Sequence, residues 1–231
     1  MDNNIFQRFE MLVGSEVVNF LSERRIIIFG VGGVGGQAAE SLVRAGLGHI
    51  TIVDRDVVDI TNINRQVIAL HSTIGKSKID VLKQRLLDIN PHLEVVAIKQ
   101  ELNIETLEFF DLKSFDFIVD AIDSVKDKIA LIKYCYDEKL NIICSMGAGN
   151  RLDPSLVYVT DIFKTNDDPL AKVIRSNLRK LEITKLVVVA SKEVPKKTTT
   201  RTPASSPFVP PAFGLAIANY ILKYYLMYNI R

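Results

Sequence analysis

Cysteine is scarce in this chain, and its placement excludes more than its number does. Only Cys135 and Cys144 occur among 231 residues, and neither belongs to a C-x-x-C pair. A structural zinc site of the paired type and a disulfide framework are both excluded. Cys135 falls in a helical pattern and reads as core. Cys144 ends an apolar strand near the expected ligand cleft, where a buried small side chain is the simpler reading than a reactive thiol. The histidines His49, His71 and His92 share no metal-ligand spacing, and none is assigned a function. Long apolar runs are missing too. Residues 213–230 are interrupted by Asn219 and Lys223 and are short for a bilayer span, so they read as a packed helix. The N-terminus is polar without a signal-peptide pattern, and a cytoplasmic location is expected. No internal repeat is evident. Neither sign of charge dominates: the net charge is +2, with 48% hydrophobic and 24% charged residues. That is ordinary for a globular domain, so function has to be read from local patterns.

Glycine, by contrast, is concentrated where it carries chemistry. Residues 30–36 read G-V-G-G-V-G-G, directly after Ile26-Ile27-Ile28-Phe29 and before a helical pattern. A strand that turns through glycines into a helix presents backbone N–H groups to a phosphate. Gly30 suits the tight turn, Gly32 admits phosphate oxygens to the backbone, and Gly35 permits close helix–strand packing, with Gly33 completing the cradle. The next apolar run, Ile50-Thr51-Ile52-Val53, ends in Asp54, whose carboxylate can accept hydrogen bonds from a ribose. The chain is therefore expected to bind a nucleotide. The fingerprint by itself is more often that of NAD than of ATP.

Strands and helices alternate through the first two thirds. Helices are expected at 34–45, 76–89 and 126–139, a short one at 104–110, and strands at 50–53, 93–98, 115–121 and 142–145. Near-continuous apolar runs of this kind suit parallel strands buried on both faces. Further on, strands are expected at 156–162 and 185–190, with a helix from Pro169 to Leu181. The fold class is α/β, a Rossmann-like doubly wound, mainly parallel sheet with C-terminal strands and a helix. It is read as a single domain whose nucleotide-binding half is 1–150 and whose substrate-binding half is 151–231. A Thr/Pro/Ser-rich loop is expected at 193–211. Residues 172–201 hold nine lysines and arginines against Glu182 and Glu193. That stretch suits a polyanion, or equally a solvated helix face followed by a loop.

Polar residues gather where these strands end. Asp54-Arg55-Asp56 closes the second strand, and Asn62-Ile63-Asn64-Arg65-Gln66 follows. Gly75-Lys76-Ser77-Lys78 opens a helix, and Asp120-Ala121-Ile122-Asp123-Ser124 closes the fourth strand. An enzyme that splits ATP between its α- and β-phosphates needs cations such as Arg65 and Lys78 against the departing pyrophosphate. It also needs a carboxylate such as Asp123 to hold magnesium against the same oxygens. Bland readings exist beside these. Arg65 and Lys78 could be surface cations, though cations oppose the dipole at a helix start. Asp56 could be a turn residue, Asp123 a helix cap, and Lys126 and Lys128 a solvated helix face, with Lys128 a candidate phosphate contact.

In this order the motifs G-x-G-G-x-G, D-x-D, N-x-x-R-Q, a helix-opening lysine and D-x-x-D resemble the family of ThiF/MoeB/HesA and ubiquitin-activating adenylyltransferases, over nearly the whole chain. The resemblance implies that Gly30, Gly32, Gly33, Gly35, Asp54, Asp56, Asn62, Arg65, Gln66 and Lys78 bind ATP, with Asp54 on the ribose and Asn62, Arg65 and Lys78 on the phosphates. Asp123 becomes the magnesium-linked catalytic acid. The family also supplies an N-terminal arginine across a homodimer interface, for which Arg8 is the candidate. Within the family, the segments T-N-I-N-R-Q, D-A-I-D-S-V and G-A-G-x-x-x-D-P, with T-D-I-x-K-T-x-x-D-P-L-A after them, are similar to the branch that dehydrates threonylcarbamoyladenosine in tRNA. The implied reaction adenylates the modification's carboxylate and closes it into a ring, releasing pyrophosphate and AMP. Proximity of a nucleophile already on the substrate replaces an enzymic thiol. The implied partner is the anticodon arm of tRNA, met by Lys192, Lys196, Lys197 and Arg201. ATP and magnesium are the expected cofactors, and a monovalent cation (potassium or sodium) is a further candidate. Between Lys185 and Phe213 the chain is shorter than other members of the family and lacks a cysteine-containing segment. Two alternatives stay open: adenylation of the C-terminus of a ubiquitin-like sulfur-carrier protein, and a non-catalytic nucleotide-binding regulator. An NAD dehydrogenase is more remote.

Overall fold

Branched apolar residues with no polar interruption form the centre of the sheet, because strands covered on both faces have no solvent side to mark. In the computed structural model, which describes residues 4–199 and 202–228, the chain opens with two helices, α1 (Gln7–Val13) and α2 (Ser15–Ser22), which the sequence reading did not anticipate. There follow β1 (Arg25–Phe29), α3 (Gly35–Arg44), β2 (His49–Val53), α4 (Lys78–Ile89), β3 (Glu94–Ile98), β4 (Phe117–Asp120), α5 (Val125–Asp137) and β5 (Ile142–Ser145). The last third holds β6 (Val157–Asp161), α6 (Pro169–Lys180), β7 (Val187–Ser191) and α7 (Val209–Tyr228). The short helix expected at 104–110 is a 3-10 turn, Leu107–Phe110.

One seven-stranded sheet runs in the order β3-β2-β1-β4-β5-β7-β6. All neighbours are parallel except β6, which pairs antiparallel with β7 at the edge. The order reverses between β1 and β4. At such a switch point the connections leave in opposite directions and a crevice opens at the carboxyl ends of the strands. Ile26, Ile27, Ile28 and Phe29 of β1 are fully buried. Alternate side chains of this strand enter different apolar clusters on the two faces of the sheet, Ile26 and Ile28 in one and Ile27 and Phe29 in another.

α7 begins earlier than the sequence suggested, and the Thr/Pro-rich segment is correspondingly shorter. Pro210 and Pro211 fall in the helix's first turn, where a missing N–H costs nothing. The helix crosses α3 at very short range: a Cβ on Gly214 would lie 2.4 Å from the carbonyl oxygen of Val34. That crossing braces the helix that follows the glycine turn. Among the described residues, no helix is long and apolar enough to cross a membrane.

Candidate active site

At the switch point lies a cleft of about 560 Å³. The glycine turn forms its floor. Gly30 takes φ +84°, and a Cβ there would meet the carbonyl oxygen of Ala121 at 2.7 Å. At Gly35 a Cβ would stand 1.8 Å from Gly30 O, so helix α3 can start there only without a side chain. Gly32 differs: a Cβ would be in ordinary contact, 3.7 Å from Gln66 Nε2. Its bareness serves the open side of the cleft rather than packing. At Gly33 a Cβ would crowd Pro210 Cβ at 3.1 Å and Arg65 Cγ at 3.3 Å, so the turn, the arginine and the start of α7 are in mutual contact.

Asp54, at the end of β2, ties this turn to its own loop. One carboxylate oxygen accepts from Val31 N at 2.8 Å, the other from Asp56 N at 2.9 Å. A carboxylate has about four acceptor positions, so two backbone bonds fix the group and leave capacity for hydroxyls. Asn62 is buried and closes a capping box, its Oδ1 accepting from Asp59 N at 3.1 Å. Thr61 donates from both its hydroxyl and its N–H to Asp59, which holds that carboxyl below its usual range. Gln66 is buried against the cleft, and its Oε1 has no hydrogen-bond partner among the described residues. A buried acceptor left open costs free energy unless a ligand or water satisfies it.

Two cations line the same cleft. Lys78, the first residue of α4, has a nearly buried side chain whose Nζ donates to Asp56 Oδ2 at 2.7 Å. Arg65 donates from Nη1 to Thr61 O and Asn64 Oδ1, each at 2.9 Å. Asp123 is exposed, lines the cleft, and has no hydrogen-bond or ion-pair partner among the described residues. No group of three metal-ligating side chains exists among the described residues. A magnesium ion held at Asp123 would therefore take its other ligands from phosphate oxygens and water, as magnesium on nucleotides does.

Several site features were missed by the sequence reading. Lys128 is not on a solvated face: its side chain is fully buried, with Nζ 2.8 Å from the fully buried Asp120 Oδ2 and 3.2 Å from Ser145 O. The first aspartate of D-x-x-D is thus internal, and Asp123 alone of the two lines the cleft. Asp127 also lines it and accepts from Ser124 Oγ at 2.5 Å; the S-x-x-D spacing at the start of α5 was the available signal. Residues 202–205 form one wall. Ala204 and Asn150 exchange two bonds of 2.7 Å, and Asn64 Nδ2 donates to Ser205 O at 2.9 Å. Behind this wall, Arg151 is buried and donates to Gly147 O, Ser191 O and Asp167 O. Asp168 caps α6 and accepts from Gly147 N, so the G-A-G-x-x-x-D-P segment and the start of α6 are one packed unit.

Other expected site residues lie elsewhere. Arg8 is exposed on α1 and does not line the cleft. Lys192, Lys196 and Lys197 are exposed beyond β7, and none has a carboxylate partner among the described residues. Arg201 lies outside the described residues. Both cysteines are buried, and burial, helped by the nearby Asp120 carboxylate, pushes both thiols up. The reading of both as inert core residues agrees with this.

A cleft of this kind at a sheet's switch point, floored by glycines and flanked by cations, belongs to proteins that hold nucleotides by their phosphates. The chain belongs to the ThiF family, whose model matches residues 6–230. It is 40% identical to tRNA threonylcarbamoyladenosine dehydratase of Bacillus subtilis, over 94% of this chain and 92% of that protein. Its fold superposes on crystal structures of the Escherichia coli tRNA N6-threonylcarbamoyladenosine dehydratase. The complex with AMP gives a TM-score of 0.92 at 32% identity, covering 96% of this chain and 94% of that one. The complex with ATP gives 0.91 at 32% identity, covering 96% and 93%.

Proposed function

We propose that this chain is an ATP-dependent enzyme that dehydrates N6-threonylcarbamoyladenosine beside the anticodon of tRNA. The observation that carries the reading is the meeting of Gly30, Gly32, Gly33, Asp54, Asn62, Arg65, Gln66, Lys78 and Asp123 around one cleft, in a chain so similar to dehydratases of that name. Residues 1–150 form the nucleotide-binding half and 151–231 the substrate-binding half of one domain, the second half also lending the 202–205 wall to the ATP cleft.

Asp54 takes the ribose hydroxyls with its free acceptor capacity, and the glycine turn takes phosphate oxygens on its N–H groups. Asn62, Gln66, Arg65 and Lys78 hold the phosphate chain. Asp56 sets the Lys78 ammonium in place. The carboxylate of the modified adenosine attacks the α-phosphorus, the bond to the bridging oxygen breaks, and pyrophosphate leaves. Arg65 and Lys78, already fixed before charge develops, stabilise that leaving group. Magnesium, when bound, adds Lewis-acid stabilisation of the phosphate oxygens. Asp123 holds it at the mouth. A nucleophile on the same threonylcarbamoyl group then displaces AMP and closes the ring, with net loss of one water. Both thiols are buried, and this route needs neither. Lys192, Lys196, Lys197 and Arg201 meet RNA phosphates. A homodimer that brings Arg8 to a neighbouring cleft, a bound monovalent cation and a cytoplasmic location complete the proposal.

Pyrophosphate exchange tests it. Labelled pyrophosphate is expected to enter ATP only when tRNA carrying the modification is added. Exchange that instead requires a small ubiquitin-like carrier protein would overturn the reading in favour of carrier activation.

A further inference from the structure

Asn64 joins two parts of the site that have different tasks. Its Nδ2 donates to Ser205 O at 2.9 Å, and its Oδ1 accepts from Arg65 Nη1 at 2.9 Å. A carboxamide has one donor end and one acceptor end. The contact with Ser205 therefore decides which end faces Arg65. Ser205 belongs to the wall at 202–205, whose neighbour Ala204 is pinned by Asn150. The main-chain carbonyl of Asn150 accepts from Lys196 N at 2.8 Å, so the lysine-bearing stretch at 192–197 and the wall share this residue as an anchor. A path of hydrogen bonds, with the Ala204–Ser205 peptide bond as its one covalent link, thus runs from Lys196 through Asn150, Ala204, Ser205 and Asn64 to Arg65.

We propose that Asn64 is a positioning residue that couples RNA binding on this segment to the hold of Arg65 on ATP. The inference rests on the function proposed above. RNA seated on Lys192, Lys196 and Lys197 steadies the segment, the segment orients the Asn64 amide, and the amide aligns the guanidinium. Coupling between two ligands is reciprocal, so ATP tightens RNA binding by the same factor.

The test is titration calorimetry of an α,β-methylene ATP analogue with magnesium, with and without saturating tRNA. Wild-type protein is expected to bind the analogue about fivefold more tightly with tRNA present, the lower end of common coupling. Asn64→Ala, at an exposed position, brings that ratio to about one. Asn64→Asp keeps an acceptor for Arg65 but loses the donor to Ser205; its added charge weakens analogue binding with and without tRNA alike, and the ratio of the two again falls to about one. A purely structural role would not move the ratio in Asn64→Asp. Coupling that persists in both variants overturns the inference alone, as does a wild-type ratio of one with tRNA bound. Wild-type protein that binds no tRNA overturns the proposed function and the inference with it.

Discussion

Lys128 Nζ and Asp120 Oδ2 lie 2.8 Å apart, and neither side chain exposes any surface. The pair joins α5 to the end of β4, and Lys128 reaches on to the Ser145 carbonyl at the end of β5. It therefore staples two neighbouring strands beneath the turn that carries Asp123. Removing one partner strands a charge in a low-dielectric interior, which costs about 3–5 kcal/mol. Lys128→Met is expected to lower the free energy of unfolding by that amount in urea titrations. Asp120→Leu combined with Lys128→Met should recover much of it, since no charge is then left unpaired. A Lys128→Met variant as stable as wild type would contradict the assignment.

The glycines of the turn divide by task. Gly35→Ala drives a methyl group into Gly30 O and should destabilise by about 3 kcal/mol, the upper range for overpacking. Gly32→Ala meets only an ordinary contact. It should melt near the wild-type temperature yet bind ATP at least about tenfold more weakly, because the methyl occupies the side where phosphate approaches. Melting curves and ATP titrations on the two variants separate the roles.

Glu40 on α3 is buried beneath two arginines, with Arg44 at 2.8 Å and Arg85 at 2.6 Å. Burial alone pushes its carboxyl up, but the hydrogen bonds and charges of Arg85 and Arg44 outweigh this and hold it below the usual glutamate range. Its folded pKa is thus lower than its unfolded one. The stabilisation is complete above the unfolded value and is lost as pH falls through the folded value. Glu40→Gln should cost about 1–3 kcal/mol at pH 7 and flatten the acid limb of stability against pH. An acid limb unchanged by the substitution would argue against the network.

Neither thiol should be available to reagents. Cys135 and Cys144 are buried with raised pKa values, and the thiolate is the reactive form. Iodoacetamide is expected to leave the intact mass of native protein unchanged near pH 8 and to add two groups in urea. Rapid native labelling of either would bring a thiol back into the chemistry.

The sheet was legible because β1, β4 and β5 are apolar runs covered on both faces, and α3 and α4 end at the turn signals Gly46 and Asn90-Pro91. The motif residues could be gathered into one cleft because a doubly wound sheet places every strand's carboxyl end on the same edge. What escaped depends on contacts between segments distant in sequence. Lys128 looked solvated because Lys126 nearby is exposed; nothing in the local pattern marked a carboxylate on the preceding strand as its partner. The segment after β7 looked irregular, and its order comes from Asn150 and Asn64, about 54 and 141 residues away from its Ala204 and Ser205. α1 and α2 are too short to show a clear period.

The most direct measurement is mass spectrometry of nucleosides from tRNA incubated with the protein, ATP and magnesium. Threonylcarbamoyladenosine is expected to lose the mass of one water, only with ATP, and Asp123→Ala to abolish the change. An unchanged nucleoside in the presence of active, ATP-bound protein would contradict the proposed function.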